Sequence, residues 1–234
     1  MSLFWLLVIA ISVFLLIIIC IIFWATSYQG SDKTNDSDEW RGLGSSAEKA
    51  LYHTLIEKFD VPEGQIFHNV YIPASNGKTS EIDVLVVSKK GLFVFECKDY
   101  GGSIYGDANR PKWLQYIGDQ RNFFYSPLLQ NKNHAKYLRV FFSKDRIEVP
   151  VIPIIWTTIR GDWSVKNLKD NDYIIGLNCR FGDIYENLPD SPEIAKNFNK
   201  ILAKLSPLAC PDESIREKHM EQVRRIQETK SRRY

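Results

Sequence analysis

Three charged side chains interrupt two apolar stretches near the middle of the chain. In EIDVLVVSKKGLFVFECKD, residues 81–99, the carboxylates of Asp83 and Glu96 and the ammonium of Lys98 stand beside runs of Val, Leu and Phe. Burying an unpaired charge in such a core carries a large free-energy cost or changes its protonation state. These three residues therefore need either partners or a function.

A turn at residues 89–90 would bring the three charges together. In a hairpin that turns there, residues whose numbers sum to 179 face each other, so Asp83 lies opposite Glu96. Directly opposed side chains share a face of the sheet, with Cβ atoms about 5 Å apart. Lys98 shares that face because it lies two residues beyond Glu96. We therefore expect one cluster of two carboxylates and an ammonium.

Two carboxylates this close repel each other, by about 4 kcal/mol at 4 Å and an effective dielectric constant near 20. Lys98 offsets part of this repulsion. A divalent cation offsets more, because hard oxygen ligands suit Mg²⁺ or Mn²⁺. Such a metal polarises a phosphate and activates a bound water, which Lys98 would position or help to deprotonate. One interpretation of the cluster is therefore a metal-dependent phosphodiesterase site, in which the cation lies between Asp83 and Glu96.

A structural interpretation of the same residues stays open. Glu96 and Lys98 would then form a salt bridge at a strand end, with Asp83 at the open mouth of the hairpin. Spacing alone does not decide between the two interpretations, because the pattern D-x(n)-E-x-K is short and occurs in many proteins by chance.

Helices and strands alternate on both sides of this cluster. Both strands of the central pair are apolar on each face, so we expect them to be covered on both sides. The order helix, three strands, helix, strand predicts an α/β fold, a mixed sheet flanked by helices. The predicted elements are a helix over 45–59, strands over 66–72, 81–88 and 91–98, a hairpin over 101–116, a helix over 126–142, a strand over 149–158, a short strand near 173–177 and a helix over 191–205.

The first 41 residues predict a membrane anchor followed by a linker. Residues 3–25 carry no charge and exceed the ~20 residues that cross a bilayer. A cleaved signal peptide is usually shorter and follows basic residues, which are absent before this segment. We predict a retained transmembrane anchor over 1–27, with 3–25 in the lipid bilayer, and a polar linker over 28–41.

The cysteines favour a cytoplasmic domain behind a single membrane pass. Cys97, Cys179 and Cys210 show no CxxC spacing, so neither a zinc site nor a disulfide framework is indicated. The flanking charges contribute little to the orientation, because acidic residues surround Lys33, the first basic residue.

Affinity for nucleic acid must come from a local patch, because the net charge is only +2. Basic residues interleaved with aromatic ones could follow a phosphate backbone and stack on bases. Alternatively, the aromatic residues belong to the core and the lysines are merely solvated. The candidates that flank the cluster are Lys78, Lys89, Lys90, Arg110, Lys112 and Arg121, with Trp113, Tyr116, Phe123, Phe124 and Tyr125. Residues 208–234 predict a charged helix or tail.

Four blocks of sequence occur in a familiar order: GLGSSAEKALYHTL, NVYIP, EIDVLVVSKKGLFVFECKDYGGSIYG and SPLLQNKNHAKYL. Together they closely resemble the NERD (nuclease-related domain) family of the PD-(D/E)XK nuclease superfamily. The resemblance covers about residues 42–142, inside a domain that we place at 42–207. It implies the restriction-endonuclease-like αβββαβ core that the element order also predicts. Ser126 is one departure, because Asn is commoner in the family before the following Pro.

The resemblance also implies roles for particular residues. Asp83 and Glu96 match the metal ligands and Lys98 the catalytic lysine, while Glu48 and Gln130 match the glutamate of the first helix and the glutamine of the second. Two of these have competing interpretations. Glu48 also completes a capping box that begins at Ser45, and Gln130 is alternatively a solvated helix residue. We interpret His134, one turn after Gln130, as a surface histidine of the helix.

The sequence therefore predicts a membrane-anchored, Mg²⁺- or Mn²⁺-dependent nuclease that hydrolyses DNA, with RNA as an alternative substrate. A different class of function is a non-catalytic module that tethers DNA or a protein partner at the membrane. The complete set of Asp83, Glu96 and Lys98 favours the enzyme.

Overall fold

The computed structural model describes residues 45–74, 77–158, 161–176, 180–209, 214, 217–222 and 224–225. The predicted anchor (1–27) and linker (28–41) lie outside these residues. Across the ranges described, no helix combines the length and apolar character that a membrane crossing requires.

Two sheets flanked by helices make up a mixed α/β fold. The helices are α1 (Ser46–Phe59), α2 (Pro127–Ser143), α3 (Phe181–Glu186) and α4 (Pro192–Leu205). The strands are β1 (Ile66–Pro73), β2 (Thr79–Ser88), β3 (Gly91–Lys98), β4 (Gly102–Asp107), β5 (Lys112–Ile117), β6 (Gln120–Tyr125), β7 (Val151–Thr157), β8 (Gly161–Lys166) and β9 (Tyr173–Gly176). Single turns of 3₁₀-helix occur at Glu63–Gln65 and Ser206–Leu208.

The first sheet has the strand order β1-β2-β3-β7-β9. Strands β1, β2 and β3 are antiparallel neighbours, whereas β7 runs parallel to β3 and β9 parallel to β7. One face packs against α2 and α4, through residues such as Val94, Leu138 and Ile201. On the other face, Phe181 of α3 stacks edge-on against Phe93 of β3. The prediction of a mixed sheet with helices on both faces is confirmed.

The predicted helix starts depend on serine caps. The side chain of Ser45 accepts a hydrogen bond from the backbone of Glu48, and the Glu48 side chain accepts one from the backbone of Ser45, so the capping box is complete. Ser126 and Ser191 cap α2 and α4, and each precedes a proline in the first turn. Such caps satisfy amide groups that the helix itself leaves unpaired.

The second sheet has the order β6-β5-β4-β8 and is inserted in the chain between β3 and α2, except for β8. The predicted hairpin forms β4 and β5. Strands β6 and β8 and helix α3 were not predicted. Strand β6 was missed because its sequence, QRNFFY, is a polar segment followed by aromatics, without a regular alternation. Strand β8 was missed because it pairs in parallel with β4, which is far away in sequence. Helix α3 has only 6 residues, too few for a helical periodicity to be visible.

The charged C-terminal stretch is described only in part. Residues 217–222 are helical, and Gln222 exchanges two hydrogen bonds with the backbone of Thr79 at the start of β2. His219 is buried and lies 2.9 Å from the Thr79 hydroxyl. This part of the stretch therefore packs on the first sheet, in contrast to a fully solvated tail.

Two glycines allow a test of how closely the start of β4 approaches β5. Gly102 has φ +73°, and a Cβ atom there would lie 2.0 Å from the carbonyl oxygen of Tyr116, whereas Gly118 has φ +57° and open space around it. We expect Gly102→Ala to lower the free energy of unfolding by about 3 kcal/mol, from backbone strain plus a clash. Gly118→Ala should cost only about 1 kcal/mol, from the strain alone. Urea unfolding monitored by tryptophan fluorescence measures both, and equal losses would contradict this account of Gly102.

Candidate active site

The candidate site lies at the open end of the β2–β3 hairpin. Ser88 pairs with Gly91 and Val84 with Phe95, so the predicted register is confirmed, and its continuation brings Asp83 level with Glu96. The regular pairing of β2 with β3 ends at Val84 and Phe95. Instead, the N–H of Cys97 donates to the Asp83 carboxylate at 2.7 Å. A side chain thus replaces the backbone acceptor at this point.

The regular alternation of side chains changes at Asp83. Leu85 packs in the cluster that contains α2, and odd-numbered residues of β2 therefore face that helix up to this point. Beyond Asp83 the even-numbered Ile82 packs in the same cluster. On β1 the register places Asn69 opposite Asp83, and Asn69 has φ +47°. Asn tolerates this left-handed conformation better than most residues do, so the distortion turns Asp83 out of the regular pleat without requiring glycine.

Glu96 is the best-connected side chain of the site. It is only 1% exposed. Its Oε1 accepts hydrogen bonds from Lys98 Nζ at 2.5 Å and from Gln130 Nε2 at 2.7 Å. Its Oε2 lies 3.1 Å from Nε2 of His134, whose Nδ1 lies 2.6 Å from the Ser80 hydroxyl. Because a carboxylate only accepts, His134 donates to Glu96 from Nε2, and its Nδ1 pairs with the Ser80 hydroxyl. Both oxygens of Glu96 are therefore held in place.

Two interpretations of helix α2 change with this geometry. His134 is buried, at 8% exposed, so its prediction as a surface histidine is wrong. Gln130 is half-buried and contacts Glu96, which does not fit a merely solvated helix residue. The four-residue spacing between them places both on one helical face, and this spacing was the available sign that they act on the same group.

Another residue of α2 was missed altogether. Asn131 is 1% exposed, and its Nδ2 donates to the carbonyls of Val94 and Ile154 at 2.9 Å each. It therefore links the parallel strands β3 and β7 directly beneath the site. The signal in the sequence was a polar residue in register with the apolar stripe of Leu128, Ala135 and Leu138.

Glu48 and Asp99 bring helix α1 to the site. Oε1 of Glu48 accepts from the Ser45 hydroxyl at 2.8 Å, so the capping interpretation holds, yet its charge also acts on Asp83 and helps to raise the pKa of that carboxyl. Asp99, directly after β3, accepts hydrogen bonds from the hydroxyls of Ser46 and Thr158. The start of α1 and the end of β7 are thus fixed beside Lys98.

The pKa values of the two central carboxyls are shifted in opposite directions by unequal electrostatic surroundings. Burial, and next the charge of Glu96, raise the pKa of Asp83 well above its usual range, against the effect of Lys98. Burial also acts to raise the pKa of Glu96, but the hydrogen bond from His134 and the charge of Lys98 outweigh it and lower that pKa. Burial acts to lower the pKa of Lys98, yet Glu96 and Asp83 together raise it. Glu96 and Lys98 therefore form an ion pair beside a second carboxyl that resists ionisation.

Residues 43–158 match the model of the family described as nuclease-related domain, NERD. These residues belong to the NERD family. The matched segment runs from just before α1 to the end of β7 and includes Glu48, Asp83, Glu96, Lys98 and Gln130. It extends the resemblance expected over about 42–142 by one further strand of the first sheet.

One relative of the NERD domain is an uncharacterised protein of Bacillus anthracis, 34% identical over 98 residues. The aligned segment is 42% of this chain and 45% of that protein, so the chain spans less than half of the relative's length. No solved structure matches the chain.

The oxygens of the NERD site fit a hard divalent cation. Mg²⁺ typically binds through one or two carboxylates and keeps several waters. Asp83 and Glu96 supply two carboxylates, and Oδ1 of Asp83 makes no hydrogen bond to any residue that the structure describes. Among those same residues, no group of three or more His, Cys, Asp and Glu side chains is arranged to hold a metal. With these two carboxylates as protein ligands, water and phosphate would occupy the remaining positions around the cation.

Two of the basic candidates lie away from the NERD site. Lys89 and Lys90 are in the β2–β3 turn, at the opposite end of the hairpin from Glu96. Lys89 pairs with Asp190 at 3.2 Å, and Lys90 donates to the carbonyl of Leu188. The expectation that these two lysines flank the site is therefore wrong, because a hairpin separates its turn from its open end.

Amide substitutions should separate the two carboxyls in the absence of divalent cations. Asp83→Asn keeps an acceptor for the Cys97 N–H and cannot take up the charge that burial and Glu96 disfavour at this position, so the melting temperature should stay equal or rise. Glu96→Gln leaves the buried Lys98 without its partner, so unfolding should become easier by about 3 kcal/mol. Thermal melts in EDTA measure both effects. A loss for Asp83→Asn as large as that for Glu96→Gln would contradict the unequal surroundings described above.

Proposed function

We propose that the NERD domain of this chain hydrolyses phosphodiester bonds of nucleic acid, DNA in particular, with Mg²⁺ or Mn²⁺ bound by Asp83 and Glu96. The observation that carries the proposal is the buried Glu96 carboxylate, held by three donors and facing a second carboxyl that lacks a partner for Oδ1 among the described residues. The element order of α1, β1 to β3, α2 and β7 supports a restriction-endonuclease-like core of the PD-(D/E)XK type.

Each residue of the site has a separate task in this proposal. A bound divalent cation would polarise the scissile phosphate and lower the pKa of a coordinated water. Gln130 and His134 fix the plane of the Glu96 carboxylate, and Ser80 orients His134. Such outer partners keep a ligand in its productive geometry. Asp83 is oriented by the backbone of Cys97 through its other oxygen.

Lys98 supplies positive charge at the reacting phosphate. Its ammonium lies 2.5 Å from Glu96 Oε1 and is partly accessible, since its side chain is 19% exposed. A donor prepositioned in this way stabilises the additional negative charge of the transition state without having to reorganise. The interaction of Asp99 with Ser46 and Thr158 prevents the end of β3 from moving away from the site.

Nuclease assays on the full chain test the enzyme proposal. DNA is supplied as supercoiled plasmid, linear duplex and single strand, and we expect at least one form to be cut with Mn²⁺ or Mg²⁺ and to stay intact in EDTA. Lys98→Met should lower the rate by about 10²–10³-fold, the loss typical for one prepositioned donor. Lys136→Met, which removes an exposed ammonium on α2, should leave the rate unchanged.

Two results would overturn the enzyme proposal. One is absence of cleavage with either metal, together with a melting temperature that millimolar Mn²⁺ does not shift. The other is equal activity of Lys98→Met and Lys136→Met. Binding of DNA without cleavage would instead favour the non-catalytic tethering module.

We also propose that residues 3–25 anchor the chain in a membrane, with the NERD domain on the cytoplasmic side. The support is the uncharged length of this segment and the lack of CxxC spacing among the cysteines, which fits a reducing compartment. Full-length chain should stay in the membrane fraction after carbonate extraction, and a reporter fused after Tyr234 should show cytoplasmic activity. A soluble product that begins near residue 26 would contradict the anchor, and activity of the reporter outside the cytoplasm would contradict the orientation.

A further inference from the structure

The second sheet has two faces of different character. On the inner face, Ile104 and Trp113 are buried and pack against Ile155 of β7, with Phe124 and Trp163 around them. Of the aromatic residues proposed to contact nucleic acid, Trp113 and Phe124 therefore belong to the core. The alternate residues of the same strands point to the opposite face, because successive side chains of a strand alternate.

The outer face exposes aromatic rings on β4 and β6, the two strands on either side of β5. The register places Tyr105 of β4 opposite Leu114 of β5, and Leu114 opposite Phe123 of β6. Tyr125 pairs with Lys112 in the neighbouring row. Tyr105 is 49% exposed, Phe123 60% and Tyr125 42%. Large aromatic rings normally stabilise a protein by being buried. Several exposed rings on one face therefore indicate a surface for a binding partner.

Two cations lie among these rings. Nζ of Lys112 is 4.3 Å from the centre of the Phe123 ring, and the guanidinium of Arg121 is 5.6 Å from that of Tyr116. The outward positions of β5 and β6 include no acidic residue. The acidic residues at outward positions lie on the two other strands: Asp107 ends β4, where it pairs with Lys166, and Asp162 lies on β8, beside Ser103. The part of the face formed by β5 and β6, where Phe123 and Tyr125 lie, is therefore positively charged and complements a polyanion.

The chain connects this sheet to the NERD site at both ends. It leaves β3 at Lys98 and enters β4 at Gly102, and it leaves β6 at Tyr125 and enters α2 through Ser126, four residues before Gln130. At the first connection, Tyr100 stacks on Trp163 with ring centres 6.1 Å apart and planes inclined by 12°. A ligand that binds to this sheet is thus held by a segment of chain that starts next to Lys98 and ends four residues before Gln130.

We propose that the outer face of β4, β5 and β6 binds single-stranded nucleic acid. Unpaired bases stack on Tyr105, Phe123 and Tyr125, and the phosphates lie near Lys112 and Arg121. A duplex hides the faces of its bases, so exposed rings select unpaired strands, and stacking contributes to binding at every base regardless of sequence. This inference rests on the proposed nuclease function, since it names the form of the substrate that reaches the site.

Fluorescence anisotropy of the full chain in detergent and EDTA tests the inference without hydrolysis. The probes are a labelled oligothymidine, a duplex of mixed sequence and the same length, and vesicles of anionic phospholipid. We expect the single strand to bind more tightly than the duplex. The double variant Phe123→Leu/Tyr125→Leu keeps apolar side chains but loses the rings, and it should bind the single strand at least tenfold more weakly. Arg121→Gln should weaken binding and reduce its dependence on salt.

Matched variants separate this surface from general effects. Val140→Ala removes an exposed apolar group from α2, where Val140 is 49% exposed, and Lys136→Gln removes an exposed charge; neither should change binding. Thermal melts show whether the double variant is folded, and if it is not, the single variant Phe123→Leu, expected to bind at least fivefold more weakly, replaces it.

The inference fails if the oligothymidine does not bind, if the duplex binds equally well, or if the double variant binds as tightly as the unchanged chain. It also fails if the variant loses vesicle binding but keeps oligothymidine binding, since the face would then contact lipid. If the single strand binds in a ring-dependent way but is not cleaved in Mn²⁺, this surface is supported and the proposed nuclease is refuted. If cleavage occurs but does not depend on the rings, the nuclease is supported and this surface is refuted.

Discussion

The buried carboxylate of Glu96 is the constraint on which the site depends. A charge at this depth is tolerated only because Lys98, Gln130 and His134 all approach it. These donors come from β3 and α2, so the helix must sit at a fixed height and rotation over the strand. Asn131, the residue after Gln130 on the same helix, holds β3 and β7 together through two carbonyls. The polar contacts thus determine how the helix and the sheet pack, in addition to preparing the site.

The end of β3 is fixed by contacts from elements far apart in sequence. Asp99 accepts hydrogen bonds from the hydroxyls of Ser46 in α1 and Thr158 after β7. The N–H of Thr158 also donates to the carbonyl of Lys98 at 3.3 Å. The second sheet begins only three residues later, at Gly102. A domain that inserts an entire sheet at its reactive strand needs such local fixation, because motion of the insertion would otherwise reach Lys98.

Sequence reasoning succeeds here where the determinants are local. The β2–β3 register follows from the turn that joins the two strands. The start of α1 follows from Ser45 and Glu48, which are only three residues apart. It fails where a partner comes from far away. Strand β8 exists because it pairs with β4, and the burial of His134 depends on Glu96 and Ser80 from two other elements. Nor does any local pattern show that Asn69 and Asp83 interrupt the alternation of two strands, since such a distortion depends on both partners together.

The hydrogen bond between Cys97 and Asp83 has a consequence for spectroscopy. Most amides in the centre of a sheet are protected from exchange with solvent by a backbone carbonyl, whose position changes only when the sheet opens. The amide of Cys97 is protected by a side chain that can also rotate or bind elsewhere. Its hydrogen–deuterium exchange rate therefore follows the orientation of one carboxyl group, while Val94 and Phe95 on the same strand follow the stability of the sheet. A single residue provides a local probe of the site inside an otherwise uniform strand.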